Sequence, residues 1–479
     1  MMTGNLLRIA MKELTTVYRS KVILLMAGII LLLLGVAAWG GYRNYITAKR
    51  IRDAARHEKR EQWLHQDPKH PHIAAHFGTF AYKPKTWFSM LDAGLDNYAG
   101  AYAYLEPHRQ NDFVFKPAEG HGASIRFGQL SVALVLQLLV PLLIIFMGFG
   151  SITGERDQGT LKLLLSSGVR LSTIAAGKVV GQFLALLALV VPALLLTSIF
   201  FATVTPTTGS DWLGRSLVLL AVYSAYFLLF TGITVFVSAI SKTSGNALLT
   251  LLTIWIIGCI IVPKTAANMG SDRYPLLSQY AFRQAVQQDI AQGINGHNTK
   301  DERAKELEAK LLQQYGVKTV SELPFNFEGY VMQAGEEYSS MVYDKHFHQL
   351  QQTLLNQDRF CRLAGIADPY LAVQGLSMGL TSTDLYTHID FQQKTETYRR
   401  YFVQKMNEDM MHHSKLGDWK YKASQALYAS VSDFQYQSLP LKQVLRSYRM
   451  ELLSLSATLV VAFLLFNLIL KRIPVISQL

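Results

Sequence analysis

The chain has 479 residues, half of them hydrophobic and only 17% charged, against roughly 25% charged in an ordinary soluble domain. Charge-free apolar stretches alternate with charge-dense ones, which excludes a single soluble globule and points to a membrane protein with soluble parts. Lys and Arg outnumber Asp and Glu by 46 to 34, a formal net charge of +12; no nucleic-acid-binding motif accompanies it, so nucleic acid is not an expected partner and membrane lipid, with its anionic headgroups, is.

In residues 1–21, Leu6, Leu7, Ala10, Leu14, Val17 and Tyr18 share one helical face, with Arg8, Lys12, Glu13 and Arg19 off it. That spacing predicts an amphipathic helix lying at the membrane interface. A membrane-crossing helix needs about 20 mainly apolar residues, and six stretches qualify: 22–41, 127–150, 179–204, 213–240, 247–262 and 451–470. The first is long, strongly aliphatic and lacks a small-x-small site at its end, so it reads as an uncleaved span rather than a signal peptide.

Residues 42–126 open with a charged helix, Tyr45 to Leu64, expected to continue the first span beyond the membrane. Pro68, Pro71 and Pro84 then predict irregular structure. The aromatics that follow, among them Phe80, Trp87, Phe88 and Tyr104, predict a small packed core. All thirteen histidines fall here or in 263–450. His70, His72 and His76 are weak metal candidates. Pro71 is expected to break any helix there, and no HExxH or Cys/His framework appears, so no metal is expected.

The link 151–178 carries Arg156, Lys162, Arg170 and Lys178, the N-terminal segment Arg8, Lys12, Arg19 and Lys21, the link 241–246 Lys242, and the tail 471–479 Lys471 and Arg472; the link 205–212 has no Lys or Arg. Positive charge accumulates on the cytoplasmic side. Both termini and the links 151–178 and 241–246 are therefore expected in the cytoplasm, and 42–126, 205–212 and 263–450 outside. The segment 263–450 reads as helical: Tyr280 to Gln292, Thr299 to Tyr315 capped by Thr299 and stopped by Gly316, Ala334 to Leu355, and a helix capped at Thr383-Asp384 running through Phe391, Phe402 and Met406. The fold class is an all-α integral membrane protein with six transmembrane helices and two mainly helical extracytoplasmic domains. Cys259 and Cys361 fall in different compartments, so no disulfide joins them.

The link after the second span reads Gly154-Glu155-Arg156-Asp157-Gln158-Gly159-Thr160-Leu161-Lys162-Leu163-Leu164-Leu165-Ser166-Ser167-Gly168-Val169-Arg170, running to Gly177-Lys178. An acidic start, Gly-Thr-Leu, a Leu-rich turn and re-entry through Gly-Lys resemble the coupling loop of the ABC-2 family of transporter permeases. His72-Ile73-Ala74-Ala75-His76, Leu91-Asp92-Ala93-Gly94, Glu106-Pro107-His108-Arg109, Pro369-Tyr370-Leu371-Ala372 and Tyr398-Arg399-Arg400 are similar to the branch that carries a DUF3526 domain. The resemblance implies an ABC-2, type V exporter-like arrangement of spans with an elbow helix at the N-terminus. It implies that Glu155, Arg156, Asp157, Gly159, Thr160, Leu161, Leu164 and Arg170 couple to a separate ATPase subunit. It also implies a second permease copy or paralogue, and residence in the bacterial inner membrane. One departure is plain: the short re-entrant hairpin of ordinary ABC-2 exporters, between spans five and six, is replaced by almost the whole of 263–450.

No Walker A motif is present, so this chain is not expected to be an enzyme; it binds no cofactor, and ATP and Mg2+ belong to the partner. Apart from Glu451 at the very start of 451–470, no acid lies within the six spans, which argues against ion coupling. Their polar residues, Gln129, Gln137 and Asn467 among them, are read as interhelical contacts, with substrate contact the alternative. The expected function is an ATP-driven permease subunit for export or outer-leaflet substrate movement. The alternative is mechanotransmission, in which ATPase motion drives the outer domains to act on a periplasmic partner and nothing crosses.

Overall fold

The computed structural model describes residues 2–112, 130–204, 211–294 and 300–472. Six helices are long and apolar enough to cross a membrane, in the six places read from the sequence. The N-terminal helix α1 (Met2–Arg19) turns at Ser20 into α2 (Lys21–Leu64), whose first turn Ser20 caps through its hydroxyl. At 44 residues, α2 is about 66 Å long at 1.5 Å per residue, twice the hydrocarbon thickness. It runs unbroken from its apolar half into its charged half, as expected.

The first soluble segment departs from the all-α reading. After α3 (Pro71–Phe77), strands β1 (Thr79–Tyr82) and β2 (Tyr102–Leu105) pair antiparallel, Phe80 opposite Tyr104 and Tyr82 opposite Tyr102. Those four rings make mutual contacts on one face, while Ala81 and Ala103 are buried on the other. Aromatic cross-strand pairs stabilise such ribbons, and two four-residue strands twenty residues apart leave too brief an alternation to read from sequence. Trp87, Phe88 and Met90 enter the main core together with residues of the apolar helices, rather than forming the small separate core expected.

Helix α4 (Val132–Asp157) and helix α8 (Ser244–Arg273) each contain a π-turn just ahead of a proline, Val135–Leu139 before Pro141 and Ile257–Ile261 before Pro263. Pro263 therefore does not end its helix near residue 262, as the sequence suggested. Proline removes one N–H and crowds the carbonyl four residues back, and the wider turn accommodates the ring. For Pro141 that carbonyl is Gln137 O, which accepts instead from the Tyr226 hydroxyl at 3.0 Å; Trp255 Nε1 donates to the next carbonyl, Leu138 O, at 3.1 Å. Side chains from neighbouring spans thus satisfy the backbone where water is absent.

Between these lie α5 (Thr160–Ser166), α6 (Leu171–Val204) and α7 (Trp212–Ile240). The soluble segment after α8 is helical, as expected: α9 (Gln279–Gln292), α10 (Lys300–Tyr315), α11 (Phe327–Ala364), α12 (Pro369–Thr381), α13 (Leu385–His413), α14 (Gln425–Ser430) and α15 (Leu441–Ser447), before the last span α16 (Arg449–Arg472). Asp384 caps α13, accepting from Thr387 N, and Phe391, Phe402 and Met406 are buried. Gly316 follows α10 at a φ of 67°; Thr299, the expected cap, lies outside the described residues.

Helix α12 is apolar and lies against α7 and α16. Tyr448 fills the space above Gly379, where a Cβ would fall 2.4 Å from the ring. Arg215 of α7 is buried and donates to Leu380 O at 2.9 Å, Ser382 Oγ at 3.1 Å and Leu439 O, fastening the C-terminus of α12. A cationic donor at a helix C-terminus is well placed.

Candidate functional site

The spans leave α1, α5 and the end of α16 together at one end of the bundle and both soluble segments at the other. Ile152, Leu161, Leu171, Ile174, Val235, Ala239 and Leu470 form one buried cluster at the first end.

Helix α1 seats on α6 through two glycines. A Cβ on Gly177 would meet Ile9 at 2.8 Å, and one on Gly181 would meet Ala10 O at 2.5 Å. The close approach buries Glu13, which the sequence placed on the solvent side. Glu13 accepts from Lys178 Nζ at 3.0 Å and from Gln182 Nε2 at 2.7 Å. Lys178 Nζ also reaches Glu155 at 3.0 Å, as does Lys12 Nζ, again at 3.0 Å. Charges withdrawn from water need such partners, and removing one costs about 3–5 kcal/mol. Glu13, Lys178 and Gln182 were absent from the sequence-derived set. The available signal was Lys178 at the head of an apolar run; its partner Glu13 lies 165 residues earlier, in α1.

The eight coupling candidates separate into anchors and exposed groups. Glu155 is tied to α1 and α6 by the contacts above. Arg156 donates to Ser241 O at 2.5 Å and Ala239 O at 2.9 Å, binding the last carbonyls of α7. Thr160 Oγ1 donates to Glu155 O at 3.1 Å. Leu161, expected to offer apolar contact area, is fully buried, and Leu164 packs on the same cluster. The side chain left facing outward is Leu163, 69% exposed, with Asp157, Lys162 and Arg170 exposed around it. Gly159 precedes the helix at a φ of 73° and Gly168 follows it at 85°. These backbones favour glycine, and no atom lies within 4 Å of where a Gly159 Cβ would be. The last turns of α4 are fixed from beneath: Ser238 Oγ accepts from Ile152 N at 3.0 Å and Thr153 N at 3.3 Å. The result is a seven-residue helix held rigidly by its inner face and offering one leucine in a polar rim.

Of the three polar candidates, Gln129 lies outside the described residues. Gln137 is buried and begins a directed chain of hydrogen bonds. Its Nε2 donates to Tyr223 Oη at 3.0 Å; Tyr223 Oη and Ser377 Oγ are 3.0 Å apart; and Ser377 Oγ donates to Asp92 Oδ2 at 2.6 Å. Gly94 N donates to Asp92 Oδ1 at 3.0 Å. The chain joins two spans, α12 and the first soluble segment. Burial pushes the Asp92 carboxyl above its usual range, and the Ser377 and Gly94 bonds act against that rise. Asn467 borders an apolar groove of about 760 Å³ whose wall includes Val180, Phe236 and Phe463.

The histidines are arranged differently from their expectation. Pro71 begins α3 rather than breaking it, since the first helical position has no N–H partner to lose. His72 and His76 therefore lie one turn apart, with ring centroids 4.7 Å from each other. His108, not among the candidates, joins them from the turn after β2 at a φ of 68°, its centroid 5.5 Å from His72 and 5.2 Å from His76. His70 is turned away, buried and stacked on Trp419 at 4.7 Å. Burial, then the neighbouring His76, His108 and His70, hold the His72 imidazole down at about 4.

Cys259 and Cys361 are both free. Residues 279–437 match the family described as Domain of unknown function (DUF3526), covering most of the larger soluble segment. Residues 103–293 match the family described as Protein of unknown function (DUF2705), a range that includes the second to fifth apolar helices and α5. No curated protein matches the chain.

Proposed function

We propose that this chain is the permease subunit of an ABC-2 transporter, a six-span membrane component that couples ATP hydrolysis in a separate subunit to movement of a substrate at the outer leaflet or beyond. The observation that carries the reading is α5: a short helix anchored by Leu161, Arg156 and Glu155, with Leu163 and a polar rim left exposed. So short a helix gains nothing alone, and its rigid mounting suits the transmission of a push from a docked partner. In this reading the end carrying α1 and α5 faces the cytoplasm of the bacterial inner membrane, and the soluble segments face outward. A second copy or paralogue covers part of the apolar surface of the spans; α16 has only Glu451, Leu455 and Leu470 buried along it. The test is purification of the full chain from native membranes. Co-purification of a nucleotide-hydrolysing subunit, with Mg2+-dependent ATPase activity, is expected. A chain isolated intact with no such partner would count against the proposal.

Mechanotransmission is the second reading, favoured by two features. Helix α2 is continuous from the membrane into the soluble segment, and the Gln137–Tyr223–Ser377–Asp92 chain ties the spans to α12 and the soluble core. Under it, ATP alters distances within the outer segments while no substrate crosses reconstituted vesicles. Under the first, both occur.

A further inference from the structure

His72, His76 and His108 each offer a ring nitrogen, and these nitrogens all lie within 4.8 Å of one another. His72 is half-buried, while His76 and His108 are open to solvent. An ion 2.0–2.1 Å from three imidazole nitrogens would hold them roughly 3.4 Å apart. Closing the set from its present spacing needs side-chain shifts of about 1 Å, within the reach of rotation about χ1 and χ2 of the two exposed rings.

A fourth residue prepares the third ligand. Glu336 of α11 lies 2.6 Å from His108 Nδ1 and accepts from His108 N, also at 2.6 Å. A carboxylate on Nδ1 fixes the proton there and turns the Nε2 lone pair outward, the arrangement that metal-binding histidines commonly share. Glu336 is itself held by Arg399 Nη1 at 3.2 Å, and Arg399 is fully buried in a bidentate pair with Glu396, both contacts at 2.8 Å. The His108 side chain therefore stands on a buried ion-pair base.

We propose that His72, His76 and His108 form a site for a divalent transition-metal ion of the imidazole-preferring class, such as Zn2+ or Cu2+, with Glu336 orienting His108 and the fourth coordination position open to solvent. Three neutral nitrogens favour these ions over Mg2+ or Ca2+, which take oxygen ligands. The site joins α3 and the β2 turn, and through Glu336 it reaches α11 of the segment that matches DUF3526. Metal binding would clamp the two soluble segments together. It rests on no assumption about an ATPase partner and stands or falls separately.

The experiment uses the full-length chain in detergent, purified on a histidine-free tag and stripped with EDTA. Zn2+ is titrated by calorimetry, and Co2+ by its visible absorption, which reports coordination directly. One Zn2+ per chain is expected. His76→Ala and His108→Ala, both at exposed side chains, should each weaken binding at least ten-fold and abolish the Co2+ spectrum, whereas His412→Ala combined with His413→Ala should change neither. Glu336→Gln should weaken binding about 10- to 100-fold. Zn2+ binding that is unaltered by His108→Ala, or absent from a folded wild-type chain, overturns the assignment.

Discussion

Leu161 and Leu163 sit two residues apart on α5 with opposite surroundings, and replacing each in turn separates mounting from docking. Leu161 is fully buried among Ile152, Ile174 and Val235, so Leu161→Ala leaves a cavity and costs about 2–5 kcal/mol. Leu163 is 69% exposed, so Leu163→Ser should leave stability within about 0.5 kcal/mol. Burying a whole leucine is worth roughly 1.5–3 kcal/mol. With about two-thirds of the side chain still to bury, docking gains roughly 1–2 kcal/mol, or about 5- to 30-fold in affinity. The assay pairs the detergent-solubilised melting temperature with affinity for the ATPase subunit. Leu161→Ala should melt several degrees lower; Leu163→Ser should melt as wild type and bind about 5- to 30-fold more weakly. Equal melting losses for both, with association unchanged, would refute the reasoning and reduce α5 to a packing element.

Arg399→Met should destabilise the soluble part by about 3–5 kcal/mol, because Glu336 and Glu396 lose the buried cation they share; protease resistance of the soluble segments reads the loss, and added Glu396→Gln should recover part of it. Ser377→Ala removes the donor to Asp92 and should cost about 1–3 kcal/mol, visible as a lower melting temperature and faster amide exchange around α12. Burial pushes the Asp358 carboxyl up to about 6 despite Arg362 nearby. A raised carboxyl pKa stabilises the fold fully below the ordinary value and loses that contribution as pH rises through about 6. Melting temperature should therefore fall as pH rises from about 4 to about 6 and level off above that, and Asp358→Asn should flatten that dependence. Single cysteines in a cysteine-free background should label from outside at Gln351 and only from inside at Ser167.

Period and charge made much of this fold legible. Six apolar stretches gave six apolar helices, and Asp384 with a downstream apolar period gave α13. The failures share a cause: distant residues decided the local outcome. Pro263 looks like a stop until a π-turn absorbs it, and Pro71 looks like a breaker until it proves to be the first residue of α3. Glu13 looks solvated until Gly177 and Gly181 draw α1 against α6. His108 lies 32 residues beyond His76 in sequence, and the β1–β2 pairing carries it back. In the link after the second span, residue types marked a short helix, but which leucine faces inward depends on Ile152, Val235 and Leu470, residues on three other helices. The soluble segments show the same limit for function: their sequence names an architecture, while ring positions and buried ion pairs become visible only in three dimensions.

The central claim is that α5 docks a separate ATPase subunit. It is tested most directly by placing a photocrosslinking amino acid at position 163 of the full chain and irradiating native membranes. The expected adduct is with a nucleotide-hydrolysing polypeptide, and its yield should fall when Arg170 is replaced by Glu. Crosslinking at 163 to lipid or to this chain alone, with the ATPase recovered free, would contradict the account.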